Sequence, residues 1–341
     1  MSFLIWRWRI LYNKHSYGIL GIGSCLPEKV LTNKDWEKMV DTTDEWITQR
    51  TGISERRVLE KNQPAHELGI NAAKMALEDA GLTAEDLDLI IVATETPDYL
   101  TPSMSCLVQK GIGAKKAAAF DLNAACSGFI YSMTVAGQFI KTGFYKYVLV
   151  IGCEGLSKIM DWKDRNTCVL FGDGAGAAVL GPVEEGYGIL NTCLGAAGEL
   201  GHNLTIPCCY MSEEDIAKRP NENKRVLWMD GGEVFKFAVK VMEQCTRQVL
   251  EEIDMSLDDI KLIVPHQANI RILEGAAKRL GIDSEKVFSN LHKYGNISSA
   301  SIPVALNETY RQGRLSKGDN LVFVGFGGGL TWGAAVVKWC K

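Results

Sequence analysis

Residues 76–91, ALEDAGLTAEDLDLII, align without a gap on residues 249–264, VLEEIDMSLDDIKLIV. Leu77/Leu250, Glu78/Glu251, Asp86/Asp259, Leu89/Leu262 and Ile90/Ile263 match in order. Each copy reads as the end of an amphipathic helix, an acidic connection suited to capping a turn, and then a β-branched strand. Such a recurrence marks an internal duplication. Further downstream, placing Gly143 opposite Gly313 sets Cys126 opposite Asn296, each 17 positions before its glycine, and both blocks run into apolar strands at 148–152 and 321–325. Strand, connection, helix and strand in each copy predict two pseudo-equivalent α/β halves, with helices on the faces of mostly parallel sheets. The turn at 183–190, VEEGYGIL, is the expected boundary, giving halves 17–185 and 186–341 after an N-terminal extension, 1–16.

Composition bounds the chemistry. At 341 residues and 46% hydrophobic, the chain exceeds the roughly 250–300 residues at which single cores stop growing. A net charge of −4 argues against general binding to nucleic acid or anionic membranes, so any basic docking site must be local. No apolar run approaches the ~18 residues that span a bilayer. The opening MSFLIWRWRILYNKHS is interrupted by Arg7 and Arg9 and lacks a cleavage signal, so it reads as an extension ahead of the first strand. Ten cysteines without a CxxC pair point to reduced, cytoplasmic usage, and the five histidines show no metal-ligand spacing.

Three segments carry chemistry. In DLNAACSGF (121–129) a strand ends in small residues, and Cys126 stands where an apolar helix begins. Backbone N–H groups and the helix dipole at that place favour a thiolate, predicting a depressed thiol pKa and a nucleophile. His266 follows a buried strand, within reach of a strand-end site, and Asn296 falls near Cys126 through the duplication or else serves as a helix N-cap. The run Gly327-Gly328-Gly329 allows backbone N–H groups to approach a ligand closely, as half of an oxyanion hole or simply as a tight turn. Gly172-Asp-Gly174-Ala-Gly176 and Gly21-Ile-Gly23 lack the spacing of a dinucleotide fingerprint.

With DTTDEWITQRTGI (41–53), FGDGAGAAVL (171–180), HQAN (266–269), YGNISSAS (294–301) and GFGGGLTWG (325–333), these segments resemble the thiolase superfamily, specifically the β-ketoacyl-acyl carrier protein synthase III family of initiating condensing enzymes. The resemblance, from about Tyr17 onward, implies a layered α-β-α-β-α fold. It implies decarboxylative condensation of an acyl-CoA primer with malonyl-acyl carrier protein, with no metal or redox cofactor. By the same resemblance Cys126 is the acylated nucleophile, His266 and Asn296 assist decarboxylation, and Cys126 and Gly328 supply the oxyanion hole. Trp46 and Arg165 would sandwich the adenine of coenzyme A, with Thr42, Arg50 and Lys236 at further coenzyme A positions. Gln267, Ala268, Asn269, Ile270 and Arg271, with Lys278 and Arg279, would meet the acyl carrier protein. A homodimer is also implied. Where several relatives carry a bulky aromatic that closes the acyl pocket this chain has Thr101, implying a roomier pocket. A specialised starter-unit enzyme of polyketide or alkylquinolone type, a papain-like hydrolase and a non-catalytic partner subunit are the competing readings.

Overall fold

The computed structural model describes residues 16–219 and 225–341; residues 1–15, and with them nearly all of the expected extension, lie outside the described residues. Five strands form one sheet: β1 (Tyr17–Cys25), β2 (Leu89–Ala93), β3 (Ala118–Leu122), β4 (Val148–Gly155) and β5 (Asp173–Pro182), in the order β1-β5-β4-β2-β3. Four form the other: β6 (Gly188–Ala196), β7 (Leu262–Pro265), β8 (Asn320–Gly327) and β9 (Thr331–Lys338), in the order β7-β8-β9-β6. The topologies are the same. Leu89 pairs with Val148 as Leu262 pairs with Leu321, both parallel. The counterpart of β3 is reduced to a single parallel bridge, Ile263 to Val287.

The duplication extends to individual hydrogen bonds. The turns before β2 and β7 carry identical capping boxes, Thr83 with Asp86 and Ser256 with Asp259. The amides of Leu82 and Met255 reach back to the carbonyls of Leu77 and Leu250, equivalent positions in the aligned block. Each box satisfies otherwise orphaned donors at a helical start, which explains why these acidic connections recur.

Residue alternation builds the layers, because successive side chains of a strand point to opposite faces. Ile90 and Val92 pack outward under α2 (His66–Ala80) and α3 (Met104–Ile112), and Ile263 and Val322 pack under α5 (Gly231–Glu251) and α6 (Ile270–Leu280). Leu89, Ile91, Leu262 and Val264 face inward onto α4 (Gly128–Lys141) and α7 (Ser301–Arg311), sandwiched between the sheets. The result is the α-β-α-β-α stack. Strands buried on both faces read as continuous apolar runs, as 148–152 does.

Two expectations are corrected. The sheets are mixed rather than mostly parallel: β1 with β5, β4 with β5, β8 with β9 and β6 with β9 are antiparallel. The link from β8 to β9 spans only residues 328–330, too short for the crossover that a parallel pair needs. The structural counterpart of Cys126 is Ser299, not Asn296. The turns Ala125–Ser127 and Ser298–Ala300 each open on a positive-φ residue, Ala125 at 47° and Ser298 at 44°. Cys126 carbonyl oxygen lies over Gly325 just as Ser299 carbonyl oxygen lies over Gly152. The equivalent helix α7 has 11 residues against 14 in α4, so anchoring the alignment on the terminal glycines displaced its start by three.

The glycine look-alikes are packing devices. A methyl on Gly21 would lie 2.2 Å from the carbonyl oxygen of Ala76 on α2, and one on Gly176 would lie 2.8 Å from Pro303 on α7.

Candidate active site

A cavity of about 640 Å³ is lined by Cys126, His266 and Asn296, with Trp46, Arg50, Lys236 and Arg271 among its other walls. The first three are buried, at 6%, 1% and 7% exposure, whereas Arg50, Lys236 and Arg271 are exposed. The cavity therefore runs from cationic side chains at the surface to a thiol at the centre of the molecule.

Cys126 sits in the 3-10 turn between β3 and α4, within the middle layer. The expected depressed thiol is overturned: burial pushes its pKa well above the ordinary range, and the charge of Glu95 pushes the same way. The helix-start position was read correctly, but the carboxylate beside it was not visible in the motif. Against the turn lies Gly327, packed so closely that a methyl there would stand 2.5 Å from the Cys126 amide nitrogen. Gly328 follows it in the chain, next to Ala125 and Leu204.

Asn296 is fixed in orientation. Its Oδ1 accepts the backbone N–H of Ser298 at 2.9 Å, so its Nδ2 is the group left to donate toward the cavity. His266 follows β7, with its ring edge-on to Phe326 and Nδ1 2.7 Å from Ser301 Oγ. Burial lowers its pKa to about 3, so the imidazole is neutral at physiological pH. A neutral ring donates from one nitrogen and accepts at the other.

At the mouth, the Thr43 hydroxyl caps the helix α1 (Asp44–Thr51), accepting the Trp46 N–H. Trp46 and Arg50, four residues apart, share one face of it. Arg50 and Arg165 lie 5.4 and 5.5 Å from the Trp46 ring centroid, and Arg165 also donates to the Asp41 carbonyl at 2.7 Å. Flat cations on an indole define a surface on which a planar base can stack. Lys236 pairs with Glu233 at 2.7 Å in the first turn of α5. Thr42 Oγ1 is buried without a hydrogen-bond partner among the described residues, and Thr42 does not line the cavity.

Part of the expected carrier-contact segment is committed to the fold. Gln267 is buried and holds the backbone together, donating to the Pro265 and Phe288 carbonyls and accepting from the Asn290 amide. Ala268 is buried as well. Asn269 caps α6 through the Arg271 amide and donates to the Arg50 carbonyl, latching α6 to α1. Ile270 packs against Gly52, the left-handed C-cap of α1. Arg271 and Lys278 face solvent, whereas Gln267 does not. Arg279 turns aside to Glu243 at 2.6 Å. Thr101 is exposed and outside the lining of its own chain's cavity.

Sequence reasoning missed a polar cluster beneath Cys126. Glu95, at the end of β2, lines the cavity and accepts the Ser298 hydroxyl at 2.5 Å. Glu154 on β4 is fully buried, accepting from Ser299 at 2.6 Å and from Thr94 at 3.3 Å. The available signal was an acid immediately after an apolar strand, VATE at 92–95, in a fold whose ligands gather at strand ends.

The C-terminal model of 3-oxoacyl-[acyl-carrier-protein] synthase III matches residues 250–339, and the companion model matches residues 120–198. A curated β-ketoacyl-[acyl-carrier-protein] synthase III of Caldanaerobacter subterraneus subsp. tengcongensis is 56% identical over 328 residues, covering 96% of this chain and 99% of that one. The chain belongs to the β-ketoacyl-acyl carrier protein synthase III family. It is a condensing acyltransferase of fatty acid biosynthesis with a thiolase-like fold. Another synthase III, of Clostridioides difficile, is 53% identical, covering 94% of this chain and 98% of that one. The crystal structure of 3-oxoacyl-[acyl-carrier-protein] synthase III from Aquifex aeolicus VF5 superposes with a TM-score of 0.88 at 48% identity, covering 95% of this chain and 100% of that one. Among the described residues no helix is long and apolar enough to cross a membrane.

Proposed function

We propose that this synthase condenses an acyl-CoA primer with malonyl-acyl carrier protein through an acyl-enzyme on Cys126, releasing coenzyme A and carbon dioxide. The convergence of Cys126, His266 and Asn296 on one cavity carries the reading. Cys126 attacks the primer thioester, and the amides of Cys126 and Gly328 receive the developing oxyanion, a role supported by the packing of the glycine loop on Cys126. Malonyl-acyl carrier protein then enters. Asn296 Nδ2 and His266 Nε2 hydrogen-bond its thioester oxygen, stabilising the enolate as carbon dioxide departs, and the enolate carbon displaces Cys126 from the acyl group. A neutral imidazole suits that donation, because the negative charge develops only in the transition state.

Trp46 and Arg165 hold the adenine of coenzyme A, and Arg50 and Lys236 flank its passage. Arg271 and Lys278 steer the acidic carrier, with Arg279 engaged on Glu243. A cytoplasmic homodimer completes the reading. Strand β3 is the free edge of its sheet and exposes Phe120, while the neighbouring loop exposes Tyr99 and Leu100. Thr101 would reach an acyl pocket from the second protomer, since it is outside its own cavity.

Intact-mass measurement of wild type and Cys126→Ala after incubation with a panel of acyl-CoA primers, followed by malonyl-acyl carrier protein, tests this. Wild type alone should gain the acyl mass and lose it as a 3-oxoacyl product. An acyl mass that persists would overturn the extender assignment, and no acyl mass with any primer would overturn the nucleophile.

A further inference from the structure

The thiol presents a problem that the mechanism above leaves open. Cys126 lies buried beside two buried carboxyl groups, and ionising it in place would put a second negative charge into a desolvated pocket. Like charges in low dielectric repel strongly, so a thiolate forms there most readily if its proton lands on the neighbouring carboxylate and the net charge stays the same.

A path for that proton exists. The turn that carries Ser298 packs against the turn that carries Cys126, and the Ser298 hydroxyl is the polar side chain there that favours the thiolate. Its Oγ is also 2.5 Å from Oε1 of Glu95. Ser298 is held there by a positive φ of 44° and by the hydrogen bond its backbone N–H donates to Asn296 Oδ1. Behind Glu95, Glu154 is hydrogen-bonded to the hydroxyls of Thr94, Thr96 and Ser299 and to the Glu95 amide, so its oxygens are already engaged. Glu95 is the carboxylate that lines the cavity; Glu154 does not. The titratable groups around Glu95 are thus Cys126 and Glu154, with neutral His266 also on the cavity wall.

We propose that Glu95 accepts the Cys126 thiol proton through the Ser298 hydroxyl during acylation and returns it to the departing coenzyme A. The Cys126 S–H bond breaks as sulfur bonds to the primer carbonyl carbon. The thiol proton passes to Ser298 Oγ, and the Ser298 proton passes to Glu95 Oε1. When the tetrahedral intermediate collapses, the carbon–sulfur bond to coenzyme A breaks, and the proton travels back by the same route to the leaving thiolate. No oxidant or metal is required. The relay rests on Cys126 being the nucleophile.

The test compares wild type, Glu95→Gln and Ser298→Ala. The Ala variant suits the backbone, because its structural equivalent, Ala125, already adopts a φ of 47°. Two rates are followed from pH 6 to 9.5: self-acylation by acyl-CoA, and alkylation of Cys126 by iodoacetamide, located by peptide mass. The relay predicts that both variants lose about tenfold or more in both rates at pH 7, at the low end of proton-transfer catalysis, with the deficit closing as pH rises and hydroxide takes the proton. Coenzyme A affinity should stay at the wild-type value. Superimposed profiles would overturn the relay. So would faster alkylation in Glu95→Gln, the sign expected if Glu95 acted only by its charge. If wild type fails to acylate, the nucleophile assignment fails, while the alkylation profiles still decide the relay.

Discussion

The hydroxyl of Ser301 has one hydrogen and two acceptors in reach, His266 Nδ1 and the Ser298 carbonyl, both at 2.7 Å. If it turns to Nδ1, the imidazole hydrogen sits on Nε2, where donation to a thioester enolate needs it. If it turns to the carbonyl, Nδ1 becomes the donor and Nε2 is bare. Condensation requires the first arrangement, so Ser301 is expected to position His266 for that half-reaction. Ser301→Ala should leave self-acylation by acyl-CoA at the wild-type rate and slow decarboxylative condensation on the order of 10–100-fold. Rapid-quench measurement of the two steps checks this, and equal losses in both would assign Ser301 to the fold alone. The variant should fold, because the equivalent residue at the start of α4 is Gly128, smaller still.

At the scale of elements, the two 3-10 turns and the glycine loop form one packed unit, and its tolerances are unequal. A methyl at Gly327 would stand 2.5 Å from the Cys126 amide, whereas at Gly328 its nearest neighbour would be Ala125 Cβ at 3.5 Å, an ordinary contact. Gly327→Ala should cost about 1–3 kcal/mol as an overpacked site and depress self-acylation, whereas Gly328→Ala should keep near-wild-type stability and acylation, because it retains its amide. Thermal melts with intact-mass acylation rates compare the pair, and equal tolerance would put the Cys126 turn elsewhere than against Gly327. The duplicated helix, cap and strand were legible in sequence because 3.6 and 2.0 periodicities and a Thr or Ser three residues before Asp leave marks that survive divergence. The start of α7 was not, since a three-residue shortening moves no hydrophobic stripe that the terminal glycine could reveal. Sheet direction was hidden for a related reason: only the short link after β8 disclosed an antiparallel return. Cys126, His266 and Asn296 could be found as strand-end and helix-start polar residues. Glu95 carried only the mark of an acid just after an apolar strand, and Glu154 could not be given a place, because a carboxyl group buried against the other half of the molecule looks in sequence like any solvated acid. Gln267 shows the reverse error, a polar residue in a matching motif that the fold spends on its own backbone.

At the scale of the whole molecule, the middle layer is where the halves meet, and it holds titratable groups whose burial couples folding to pH. Burial and the charge of Glu95 push Glu154 from the ordinary 4.5 up to about 8, so between those values the folded state binds a proton that the unfolded state has released. Stability from this group is present at low pH and is lost as pH rises through the window. His266 acts oppositely: its pKa falls from 6.5 to about 3, so its contribution is present above 6.5 and is lost as pH falls toward 3. The two trends oppose one another between 4.5 and 6.5, and above that only the Glu154 arm remains of the pair. Raising the pH from 6.5 to 8.5 should therefore lower the wild-type melting temperature by on the order of a few degrees. Glu154→Gln should flatten that decline, because a neutral amide reproduces the protonated carboxyl group without ever ionising. Its donor can turn to Ser299, whose hydroxyl can donate to the Ala93 carbonyl instead. Scanning calorimetry of both proteins across that range gives the answer, and parallel declines would show that the alkaline loss arises from groups other than Glu154.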